Sequence, residues 1–92
     1  MSTKKLQIIG SLGQHSSTSV SLGASNWSSM TQAVTVGNIT TNSSIIITPA
    51  PESHDSYGEA GVYCSEQSDG TLTFVCNETP TVDLTVNVLI LN

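Results

Sequence analysis

The stretch from Gly61 to Leu91, "GVYCSEQSDGTLTFVCNETPTVDLTVNVLIL", limits the fold more than any other part of the chain. Apolar and polar residues alternate on both sides of Ser68-Asp69-Gly70, as in two antiparallel strands with one buried face. A three-residue loop with Gly70 in the left-handed region predicts a type I turn with a G1 bulge. That register sets Gln67 opposite Thr71, Glu66 opposite Leu72, Cys64 opposite Phe74 and Val62 opposite Cys76. It gathers Val62, Cys64, Leu72, Phe74 and Cys76 on one face. After a break the alternation resumes, with Val82, Leu84, Val86, Val88 and Ile90 expected inward and Asp83, Thr85 and Asn87 outward. Leu89 and Leu91 then place apolar groups on the outer face of this strand, a pattern that suggests contact with another subunit.

Upstream, the same period recurs in "WSSMTQAVTVG", with Ala33 and Thr35 on one face and Val34 and Val36 on the other. The β-branched run Ile45, Ile46, Ile47 suits a strand covered on both faces, ended by Pro49. Residues 50–61 offer one short helix, with Pro51 near its start and Gly61 just past its end. "KKLQIIG" is a short leading strand candidate, whereas residues 11–25 are rich in Ser and Gly and read as a flexible connection. These signals predict an all-β chain: a small antiparallel β-sandwich, jelly-roll-like, of about six to eight strands. Residues 1–25 are expected to form an arm and connection, and residues 26–92 the sandwich domain.

Charge narrows the partners. Charged residues make up 10% of the chain, against about 25% in an ordinary soluble domain. Lys4 and Lys5 are the only Lys or Arg, and the net charge is −5. Phosphate recognition depends on Lys and Arg, so neither nucleic acid nor an anionic membrane is an expected partner. No run approaches the ~20 apolar residues of a membrane span. The apolar run after Lys5 is too short for a signal peptide, so cytoplasmic synthesis is expected. Sequons such as "NIT" and "NET" then reflect a chain rich in Ser, Thr and Asn.

The chemistry-bearing residues are few. Under the hairpin register Cys64 and Cys76 are diagonal neighbours, about 7–8 Å apart, while a disulfide needs Cβ atoms near ~3.8 Å. Reduced core thiols are therefore expected, and neither cysteine has zinc-site spacing. Ser53, His54 and Asp55 are consecutive, but triad members converge from separate elements. Glu52, His54, Asp55 and Glu59 read as a solvated helix face rather than a metal site, His15 as exposed and Trp27 as a core plug. No catalytic set, cofactor site or metal site is expected.

The stretch from Trp27 to Leu91, carrying "TQAVTVGNI", "IIITP", "SDGTLTFVC" and "ETPTVDLTVNVLI", resembles the small C-terminal β-domain of fibre-type structural proteins from phages and prophages of gut Firmicutes. The resemblance implies a non-enzymatic virion component, made in the bacterial host cytoplasm, of the head or tail fibre or decoration class. Such proteins are commonly trimeric, contact other capsid or tail proteins, and present a surface to the host, where a glycan is a candidate partner. With a short arm in place of a long shaft, a compact decoration is the expected form. The residues expected at the oligomer or particle contact are Lys4, Lys5, Leu6, Ile8, Ile9, Leu89 and Leu91. The alternative is a secreted or cell-surface Ig-like adhesion or carbohydrate-binding domain. The missing cysteine-tryptophan-cysteine order of that fold argues against it.

Overall fold

The computed structural model describes residues 16–91. Within them the chain is mostly β: six strands and one short helix. The strands are β1 (Ser16–Leu22), β2 (Thr31–Thr35), β3 (Ser44–Pro49), β4 (Tyr63–Ser68), β5 (Thr71–Val75) and β6 (Leu84–Leu91). Helix α1 spans His54–Ala60. The strands form two three-stranded antiparallel sheets, ordered β1-β6-β3 and β2-β5-β4. The expected small all-β sandwich with one helix is the observed architecture.

Each sheet centres on its most apolar strand. β6 buries Leu84, Val86, Val88 and Ile90, and β5 buries Leu72 and Phe74. A central strand has its backbone paired on both sides, so its inner side chains are the best shielded from water. Leu22, Val36, Ile39, Ala60, Val62 and Cys76 complete this core. At ~25 cal/mol per Å² of apolar surface removed from water, the aliphatic core is the main favourable term. Gln32 is buried with it on β2; its amide donates to Gly23 O and accepts from Gly23 N–H, both at 3.1 Å. The buried amide is thus satisfied, as burial demands.

Helix α1 follows a 3-10 turn at Pro51–Ser53. It ends at Gly61, whose φ of +67° is the left-handed C-terminal cap that glycine adopts at low cost. Asn77 and Glu78 donate their N–H groups to Ala60 O, tying the helix end to the segment after β5.

Four sequence expectations are corrected. Ser16–Leu22, expected in a connection, is β1 and pairs with β6 along its whole length. The sandwich therefore includes residues assigned to the arm. The strand was hidden because Ser16 and Thr18, though they share the inner face with Ile90 and Val88, are polar and exposed. In the β4–β5 hairpin, Ser68 pairs with Thr71 across an Asp69-Gly70 turn, so Gln67 faces Leu72 and Glu66 faces Thr73. An irregularity between Cys64 and Glu66 absorbs the extra residue and restores the expected Cys64–Phe74 pair. Gly70 does have positive φ, +76°. Val82 precedes β6 and is 49% exposed rather than inward. Ile46 is 51% exposed, because β3 is an edge strand with only one face on the core.

Candidate functional site

Sheet β1-β6-β3 contains no charged residue. Its outward face follows from the register. Ser17, Leu89 and Ile46 form one cross-strand row. Ser19, Asn87 and Thr48 form the next, with Ser19 Oγ donating to Asn87 Oδ1 at 2.9 Å. Ser21 pairs with Thr85, and Leu91 with Ser44. The face is therefore a hydroxyl and amide carpet with an aliphatic end made by Ile46, Leu89 and Leu91. Ile46 is exposed, and Leu89 and Leu91 are half-buried. Thus Leu89 and Leu91 lie where the alternation placed them, and the structure adds Ile46 to their surface. Lys4, Lys5, Leu6, Ile8 and Ile9 lie outside the described residues, as does His15.

All seven acidic residues fall within the described chain, and six of them lie outside the strands; Glu66 on β4 is the exception. Two of them act as loop fasteners. Asp69 Oδ1 accepts from both the N–H and the hydroxyl of Thr41, at 3.0 and 3.2 Å. Asp83 Oδ1 accepts from Ala24 N–H at 2.8 Å. Neither contact has a sequence signal, since each joins residues far apart in the chain.

The consecutive Ser53, His54 and Asp55 diverge. Ser53 is buried and its Oγ accepts from Thr85 N–H at 2.8 Å, so the hydroxyl serves as a backbone partner for β6. His54 Nδ1 and Asp55 Oδ1 are 3.3 Å apart on the open surface. Glu52 and Glu59 are also exposed. Among the described residues no three His, Cys, Asp or Glu side chains converge as metal ligands would.

Clefts indent the surface of the described residues. One, of ≈360 Å³, lies between α1 and the segment before β6, where Glu59, Glu78, Thr79 and Pro80 line it. A second, of ≈390 Å³, lies on the β1/β2 side and is lined by hydroxyls, among them Ser16, Thr18 and Thr35, together with Val20, Val36 and Ile90. A third, of ≈360 Å³, opens between the edge strands β3 and β4 and is lined by Ile45, Ile47, Cys64, Ser65, Glu66 and Gln67.

Cys64 and Cys76 are both free thiols. Burial pushes both above the usual thiol value, with backbone N–H groups opposing the shift. Cys64 Sγ donates to Glu66 O at 3.3 Å. Tyr57 is also raised, by burial first and then by the neighbouring Cys64. Trp27 packs against the core, and its indole N–H is buried with no hydrogen-bond partner among the described residues. No family model, curated protein or solved structure matches the chain.

Proposed function

We propose that the chain is a non-enzymatic structural module of a virion surface, of the fibre or decoration class, which works as a homo-oligomer, most simply a trimer. The observation that carries this reading is the outer face of sheet β1-β6-β3. It is uncharged, hydroxyl-rich and ends in the aliphatic cluster of Ile46, Leu89 and Leu91. Free sheet edges on soluble proteins are normally guarded by charge, and lysine above all; neither edge of this sheet carries any. An edge without guarding charge fits a strand that is covered in an assembly. Hydroxyls and amides over the rest of the face suit hydrogen bonding to a host-surface glycan. Two further observations support a role without catalysis: the Ser53 hydroxyl is committed to Thr85 N–H, and the His54–Asp55 pair stands in open solvent.

The test is immunogold electron microscopy on purified particles from the strain that carries the gene, beside light scattering on the full chain. Gold at one defined position on the particle, with a trimeric mass in solution, is the expected result. Label confined to the soluble fraction would remove the virion assignment, and a monomer at micromolar concentration would remove the assembly.

A further inference from the structure

The two sides of the sandwich are closed differently. On one side the edges β1 and β2 enclose a cleft where the hydroxyls of Ser16, Thr18 and Thr35 stand beside Val20, Val36 and Ile90. On the other, β3 and β4 leave the cleft floored by Ile45, Ile47 and Cys64. These three are only half-buried, whereas the inner residues of β6 at the same level, Val88 and Ile90, are almost wholly buried. The apolar core is therefore uncovered along this flank. Gln67 bridges one end of the slot, its Nε2 donating to the carbonyls of Thr40 and Ser43, each at 2.8 Å. Beside the slot runs the outer edge of β3, "SIIITP", paired to β6 on one side only and free of charge.

We propose that residues 4–10 of a neighbouring copy add to β3 as a further strand and fill this slot, so that subunits are joined by exchanged arms. The inference rests on the assembly reading above and specifies how the copies join. The arm's pattern matches the site on both faces. A strand at the β3 edge turns alternate side chains in and out, so Leu6 and Ile8 enter the slot against Ile45, Ile47 and Cys64. Ile9 then lies outward, beside exposed Ile46. One apolar residue too many for a one-faced strand is what a site with an apolar slot and an apolar outer row requires. The β1/β2 cleft mixes hydroxyls with Val20, Val36 and Ile90 and is the more polar of the two, so Leu6 and Ile8 match it less well. Run parallel to β3, the arm also brings Lys4 and Lys5, the chain's only Lys or Arg, to the end of the slot where Glu66 stands. Addition of an extended segment to a free edge, with backbone bonds for affinity and alternate side chains for specificity, is a recurrent mode of recognition.

A chain's own arm fits the slot less well. Residues 11–15, fully extended, reach about 17 Å, and crossing from β1 over β6 and β3 takes about 14 Å in three strand spacings. Little chain is left for two turns. The path would cross the connection that feeds β3 at the same end of the sheet, which folds avoid. It would also run antiparallel to β3 and carry the lysines away from Glu66. Exchange between copies has none of these obstacles. Such a head-to-tail contact closes into a ring when the rotation allows.

Cys64 supplies a native reporter. In the full chain carrying Ile8→Cys and Cys76→Ala, a short bismaleimide should join the introduced thiol to Cys64 of another copy, giving dimer and trimer bands on a denaturing gel. Gln7→Cys in the same background, facing away from the slot, should link at least about tenfold less, since side chains on opposite faces point apart. Cys64→Ser should abolish the bands. Linkage confined to the monomer band would overturn exchange in favour of the chain's own arm, and equal linkage by Gln7→Cys would overturn the register. Light scattering on the uncross-linked full chain separates the two levels. An oligomer without linkage to Cys64 defeats the arm exchange and leaves assembly standing, while a monomer defeats both. As a second measurement, Leu6→Ser with Ile8→Ser should turn the oligomer into a monomer with an unchanged β circular dichroism spectrum. An intact oligomer in that variant would also overturn the proposal.

Discussion

Ser53 shows how a residue that looks chemical can be structural. Its buried Oγ takes the N–H of Thr85, at 2.8 Å, on the strand that anchors the charge-free sheet. Ser53→Ala leaves that N–H unsatisfied, and a buried orphan donor costs about 1–3 kcal/mol. Urea denaturation should show a loss of this size, with any particle or glycan binding retained by the folded fraction. The thiols make a second prediction at this scale. Cys76 is buried and Cys64 half-buried, both free, so Cys64→Ala and Cys76→Ala should each lower stability by about 1 kcal/mol, the usual size for a lost core contact. Reductant should leave Tm unchanged. A large fall in Tm on adding reductant would instead reveal a disulfide. Burial raises Cys64, Cys76 and, at higher pH, Tyr57. A raised folded-state value favours the protonated form. The stability it represents is whole below the ordinary thiol value of 9.0 and is lost as pH climbs through the folded-state values. Thermal melts from neutral pH to about pH 10.5 should therefore show Tm holding and then falling past 9, with a shallower fall in Cys64→Ala.

At the scale of elements, turns decide what the alternation leaves open. Gly61 and Gly70 both have positive φ, but their surroundings differ. A Cβ on Gly61 would stand 2.5 Å from Asn77 Nδ2, while a Cβ on Gly70 meets nothing within 4 Å. Gly70→Ala should cost about 1–2 kcal/mol, the backbone penalty alone, and Gly61→Ala clearly more; equal costs in denaturant titrations would refute the contact argument. The turn before β2 is the opposite case. Ser28 and Thr31 exchange backbone hydrogen bonds around Ser29 and Met30, at φ +51° and +63°. Such a turn is best filled by Asn-Gly, so Met30→Gly should stabilise the fold despite its entropy cost in the unfolded chain. Alternation made β2, β5, β6 and the inner face of β4 as far as Cys64 legible, because one buried face repeats every second residue. It could not reveal β1, whose inner positions Ser16 and Thr18 lie in solvent at a sheet edge. Nor could it reveal the irregularity near Ser65, because an extra residue among Ser65, Glu66 and Gln67 leaves no apolar residue out of step. The candidate surface was half legible for the same reason. Leu89 and Leu91 interrupt a polar face visibly, whereas Ile46 sits within an Ile run and only its edge position exposes it.

For the whole molecule, charge is distributed so that one face can associate. The acidic residues stand in loops, on α1 and on β4, and the net charge of −5 makes copies repel one another. Sheet β1-β6-β3 adds nothing to that repulsion locally, so in the proposed assembly it is the face over which two copies would meet at least electrostatic cost. The long-range part is screened by salt, whose Debye length shrinks from about 30 Å at 0.01 M to about 8 Å at 0.15 M. In the proposed assembly the contacts of Ile46, Leu89 and the arm would be apolar and would keep their strength under the same change. A surface Lys–Glu attraction in that assembly would be worth at most about 1 kcal/mol, too little to reverse the trend. Raising salt over this range should therefore increase the oligomeric fraction measured by light scattering at fixed micromolar concentration. An interface dominated by ion pairs would do the reverse. Ile46→Lys separates surface from fold in the same experiment. At 51% exposure the site tolerates a long polar side chain, and a surface change of this kind shifts stability by no more than about 0.5 kcal/mol. It also adds the guarding lysine that the β3 edge lacks, turning an edge open to another strand into one that repels it. The variant should melt like the parent monomer unit yet stay monomeric at every salt concentration; an unchanged oligomer would place the interface on another face.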